Sequence, residues 1–122
     1  MIRPWEEISC WYRELADAGS NVHGMLRLVE QIETSQYARG LYAWTSMLDL
    51  CIVQVPGTYP YDGPYLRISP LGDGTMEFRY VDTHIESRQW HRVVKKEDAF
   101  RRLERFIDQL HWVVREKTSD SA

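Results

Sequence analysis

No apolar run in this chain approaches the roughly 20 residues needed to cross a bilayer. The cysteines do not form a framework: Cys10 and Cys51 stand far apart, and there is no Cys-x-x-Cys or His-x-x-x-His pair to begin a metal cage. Positive charge is not in excess either. A formal net charge of −3 argues against a protein that holds polyanions by general electrostatics, although it leaves room for a local basic patch. Gly-x-Ser-x-Gly is absent, as is a glycine-rich strand-to-helix loop for a nucleotide. The first residues, Met1 to Glu7, lack the apolar stretch of a secretory signal. The expectation from these absences is a cytoplasmic protein with reduced thiols, no membrane segment and no cofactor.

What the chain does contain is organised around Tyr65–Val94. Leu66 and Ile68 alternate with Tyr65, Arg67 and Ser69; Met76, Phe78 and Tyr80 alternate with Glu77 and Arg79. A period of two marks strands buried on one side. Gly72 and Gly74 lie between the runs, supplying the positive φ angles of a hairpin turn. Residues opposite each other share a face, so Leu66 and Ile68 must oppose even-numbered positions, as an Ile68–Met76 or Ile68–Phe78 pairing does; a one-residue slip would drive Arg79 into the core. Arg67 then faces Glu77 or Arg79. The third strand, Arg88–Val94, is ambiguous, because neither of its parities is cleanly apolar.

A long helix over Lys96–Val114 follows, with Ala99, Phe100, Leu103, Phe106, Ile107, Leu110 and Val113 recurring at three and four. Two amphipathic helices open the chain. Trp5, Ile8, Tyr12 and Leu15 line the first, which Gly19 ends; Val22, Met25, Leu26, Val29 and Ile32 line the second. Leu41–Val55 reads as one long or bent strand whose alternation falters at Ser46–Asp49, where a bulge is expected. Val55–Pro64 is a stiff proline-rich loop displaying Tyr59 and Tyr61.

These elements predict a single α+β domain over residues 1–122, with 116–122 a frayed tail. The expected architecture has two layers: an N-terminal helical hairpin, an antiparallel sheet of about four strands, and the long C-terminal helix packed on one face. In size, acidity and α+β make-up the chain is similar to small bacterial adaptors such as secretion chaperones and toxin-immunity proteins. It shares no motif with them, so none of their activities attaches to residues here.

Two constellations stand out. Arg67, Arg79, Arg88 and Arg92 with Tyr65 and Trp90 would share the face opposite Leu66 and Phe78 if the parity of Trp90 points outward. Arginines around aromatic rings hold anionic or π-faced partners. Alternatively, Glu77 and Glu86 neutralise the arginines, or the N-terminal helices cover that face. The second set is Asp49, Asp82, His84 and His91, weak candidates for an enzyme site; Cys51 is expected to be an inert thiol. The leading expectation is a non-enzymatic binding module that takes a protein partner or a second copy of itself. It would use the arginine–aromatic face or the loop bearing Tyr59 and Tyr61. A small enzyme is the alternative, and a nucleic-acid binder using the same arginines comes after it.

Overall fold

The computed structural model describes residues 2–55, 63–82 and 85–112. Within them, helices α1 (Trp5–Asp17) and α2 (His23–Glu33) precede strands β1 (Tyr42–Ser46), β2 (Asp49–Val53), β3 (Tyr65–Pro70), β4 (Thr75–Val81) and β5 (Trp90–Lys95), and α3 (Ala99–Leu110) follows. The strands form one antiparallel meander whose spatial order is the chain order. This is the expected α+β fold with five strands instead of about four.

The extra strand comes from Leu41–Val55, which is a hairpin and not a single bent strand. Ser46 opposes Asp49, leaving Met47 and Leu48 as a two-residue turn. Tight hairpins need a positive φ, and here Met47 supplies it at 58° without the usual glycine or asparagine. A tertiary contact holds the turn: the buried Tyr12 hydroxyl donates to Leu48 O at 2.9 Å. The β3–β4 hairpin turns by local chemistry instead. Gly74 takes φ 86°, and Asp73 Oδ1 accepts from Thr75 N at 3.1 Å. Its register pairs Ile68 with Phe78 and Arg67 with Arg79, within the choices the alternation allows.

All three helices cover the same side of the sheet. Ile8 and Tyr12 of α1, Met25, Leu28, Val29 and Ile32 of α2, and Leu103, Phe106 and Ile107 of α3 share one buried cluster with Leu50, Ile52, Leu66, Ile68 and Phe78. Trp5 Nε1 donates to Leu41 O (3.0 Å), and Arg3 bridges to Ala43 at the edge of β1. Gly24 sits mid-stripe in α2 for a steric reason. A Cβ there would meet Lys96 Cβ at 3.0 Å and the Met76 sulfur at 3.3 Å.

Both outer helices end on a backbone reversal. At α1, Gly19 has φ 99° and Ser20 N–H returns to Leu15 O at 2.9 Å. At α3, His111 takes φ 58°, and Trp112 N–H returns to Ile107 O at 3.0 Å. The left-handed residue is unfavourable for histidine. It turns Trp112 back into the core, against Phe106 with ring centroids 5.0 Å apart. The expected helix over Lys96–Val114 is therefore shorter: Lys96–Asp98 is a 3₁₀ turn, and the α-helix runs Ala99–Leu110.

The third meander strand also starts later than Arg88. Glu86–Arg88 is a 3₁₀ turn and β5 begins at Trp90. Trp90 opposes Tyr80 and Arg92 opposes Phe78, so both project to the helix side. Trp90 packs on Tyr80 and Phe106, with centroids 6.2 and 5.6 Å away. The outward parity for Trp90, on which a single arginine–aromatic face depends, is thus not adopted. Tyr59, Tyr61, His84 and the tail 116–122 lie outside the described residues.

Candidate functional site

The side of the sheet away from the helices is built in rows. One row crosses every strand: Trp44, Cys51, Arg67, Arg79 and His91 are successive cross-strand partners. One row over lie Ser46 and Asp49 on β1–β2, and Ser69, Glu77 and Val93 on β3–β5. On the other flank Tyr42 opposes Val53 and Tyr65 opposes Val81. Among the described residues no helix or strand packs on this side.

Its two halves differ. Over β1–β3 it is aromatic. Trp44 and Tyr65 are on strands separated by β2, yet their ring centroids are 5.7 Å apart. Strands two apart are separated by about 9.6 Å, so both rings lean inward over β2. Cys51 and Val53, which project to this side, are fully buried although they do not belong to the main core. Burial pushes the Cys51 thiol up to about 11; Arg67 opposes the shift and Asp49 adds to it. A thiolate is therefore disfavoured, as expected for an unreactive cysteine.

Over β3–β5 the surface is charged. Arg67 and Arg79 sit directly opposite each other, an arrangement that destabilises a sheet unless the charges are offset. Asp49 offsets Arg67 at 2.6 Å, with both side chains less than a quarter exposed. Burial works against the charge on Arg67, but the Asp49 hydrogen bond and neighbouring groups hold its pKa above the ordinary value. Glu77 is shared less tightly. Its carboxylate is 3.9 Å from Arg79 Nε and 3.7 Å from His91 Nδ1. Arg79 Nε is buried without a hydrogen-bond partner among the described residues, on a side chain that is 42% exposed.

Of the residues singled out from sequence, Tyr65, Arg67 and Arg79 occur together here. Trp90 and Arg92 are on the opposite side, and Arg88 lies beyond β4, its Nη1 3.8 Å from the buried Asp82. The described members of the acid–base set, Asp49, Asp82 and His91, do not converge. Asp49 belongs to the row of Ser46 at one end of the strands, while Asp82 follows the far end of β4. Five residues separate the Glu77 row from Asp82, about 16 Å along a strand. His91 is exposed, and three strand spacings, roughly 14 Å, separate it from Cys51. Among the described residues no three His, Cys, Asp or Glu side chains group as a metal site, and no helix is long and apolar enough to cross a membrane.

Sequence reasoning left out Trp44 and Tyr42. Both lay in a segment expected to be one strand, where no face could be assigned. No protein-family model matches the chain, and no curated protein or solved structure matches it either.

Proposed function

We propose that this protein is a non-enzymatic interaction module whose uncovered sheet face binds a second copy of itself. The observation that carries this is the arrangement of charge in neighbouring rows. Arg67, Arg79 and His91 lie in one, and Asp49 and Glu77 in the next. A two-fold contact sets residue i of one copy against residue j of the other and j against i. A surface with a basic row beside an acidic row complements itself under that operation. Trp44, Tyr65 and the arginines are also of the residue types that anchor protein contacts.

Strands of five to seven residues, five abreast, make a face roughly 20 Å on each side. That is small beside the ~800 Å² per partner of a standard interface, so the contact should be weak and reversible, with micromolar dissociation. Sedimentation velocity over a concentration series tests it. Wild-type protein should form dimers at tens to hundreds of micromolar, on the order expected for so small an interface. Arg79→Glu and Glu77→Arg should each be monomeric, because each sets like charges together. Mixing the two variants should restore the dimer if Arg79 of one copy meets Glu77 of the other. Monomeric wild type across that range would remove self-association from consideration.

A further inference from the structure

Among the described residues a second buried arginine atom has no hydrogen-bond partner, and it lies on the helix side of the sheet. It is Arg102 Nε, on α3. Because β5 is an edge strand, α3 leaves a groove of about 200 Å³ beside it, lined by Val94, Asp98, Arg101, Arg102 and Arg105. Arg92 joins from the strand. The guanidinium carbons of Arg92 and Arg102 lie 5.3 and 5.7 Å from the ring centre of Trp90, so one indole carries both cations.

Charge here is not balanced as it is on the other face. Asp98 is within ion-pair distance of Arg101, at 3.7 Å. Among the described residues, no ion pair engages Arg92, Arg102 or Arg105. Arg92 Nη1 donates to the carbonyl of His91 at 3.0 Å. Burial, then Arg92 and Arg105, push the pKa of Arg102 below its ordinary value. In a chain of net charge −3, three guanidiniums lie close enough to repel one another, and none of the three has an ion-pair partner among the described residues.

We propose that the groove between β5 and α3 is a phosphate-binding site, in which Arg92, Arg102 and Arg105 hold the phosphate oxygens and Trp90 orients two of the guanidiniums. The guanidinium fork matches phosphate geometry in pairs of parallel hydrogen bonds, and a dianion with several acceptor oxygens can engage more than one fork. It also supplies an acceptor for Arg102 Nε, which has none among the described residues. A single carboxylate would satisfy fewer of these donors and leave more positive charge unbalanced. The site is distinct from the self-association surface, since β5 presents it from the opposite parity.

The test is titration of the full chain with sodium phosphate against sodium chloride of equal ionic strength. Calorimetry gives the affinity, and the Trp90 indole and arginine Nε–H resonances report the location. Saturable binding to one site is expected, with a dissociation constant of about 1 mM or below. Arg92→Gln with Arg102→Gln should weaken it at least tenfold, and Arg39→Gln, exposed and outside the groove, should leave it unchanged. Arg105 is exposed, so Arg105→Gln keeps the fold and should alone weaken binding several-fold.

O-phosphoserine and adenosine monophosphate, titrated in parallel, separate the sources. If inorganic phosphate binds as tightly as the esters, the site takes the free ion; if an ester binds more tightly, it takes a phosphorylated ligand. Absence of saturation, equal response to chloride, or undiminished binding in Arg105→Gln would overturn the proposal.

Discussion

The two sides of this sheet use the same kinds of residue to opposite ends. Beneath the helices, Leu50, Ile52, Leu66, Ile68 and Phe78 are buried against apolar helix stripes, and the aromatic rings of Tyr80, Phe106 and Trp112 meet edge to face. On the other side, aromatic rings roof Cys51 and Val53, and charges alternate beside them. One side is closed by hydrophobic burial between layers. The other carries no second layer among the described residues, and there the rings of Trp44 and Tyr65 approach each other across β2. The difference separates residues that hold the fold from residues left for a partner, and substitutions on the two sides should separate accordingly.

The largest effects belong to the helix side. Phe78→Ala and Phe106→Ala should each cost about 3–5 kcal/mol in a urea titration, because each leaves a cavity between sheet and helix. Stability within half a kcal/mol of wild type in either variant would sink the sheet–helix pairing.

Arg67→Ala comes next, and it breaks the simple division, since an open-face residue then proves structural. Its 2.6 Å pair with Asp49 is largely buried, and leaving that carboxylate unpaired should cost about 2 kcal/mol. A double-mutant cycle with Asp49→Ala should show strong coupling; additive losses would mean the pair contributes little.

The Cys51 roof can be read chemically. Cys10 is exposed, so iodoacetamide at pH 8 should modify it promptly and reach Cys51 at the rate of opening. Burial raises the Cys51 thiol from 9.0 to about 11, so the folded state holds the proton where the unfolded state releases it. This contribution to stability is complete below about pH 9 and is lost as pH rises through 11. Cys51→Ala should flatten that part of the pH–stability curve, and an unchanged slope would assign the loss to another group. The smallest effect is expected at Arg79, 42% exposed and loosely paired. Arg79→Ala should stay within about 0.5 kcal/mol of wild type in stability while altering assembly.

How much of this could be read beforehand depended on where the determining contacts lie. The β3–β4 hairpin was legible, because its alternation and its turn glycine are properties of adjacent residues. The helical stripes were legible for the same reason. The β1–β2 hairpin was not, since its turn is Met47-Leu48 and one of its supports, the Tyr12 hydroxyl, is 36 residues away in sequence. The facing of Trp90 was hidden by edge position. Half-covered by α3, β5 carries Trp90, Arg92 and Val94 on its inner parity, a mixture no periodicity resolves. Arg102 lies off the apolar stripe of α3, and its proximity to Trp90 arises only when α3 and β5 meet.

The chain-order meander also bears on how the protein reaches this state. Every strand pairs with the next one along, so the sheet can zip from hairpin to hairpin without first closing a long loop. Contacts between near neighbours in sequence favour fast folding, and the longer closures fall to the helices: α2 against α3, and in α1 Trp5 and Tyr12, which each reach 36 residues ahead. Substitutions at those two anchors should therefore reveal, in stopped-flow refolding, whether the helix seals a preformed sheet or forms with it. If α1 docks after the rate-limiting barrier, losing an anchor speeds unfolding and leaves the folding rate nearly unchanged.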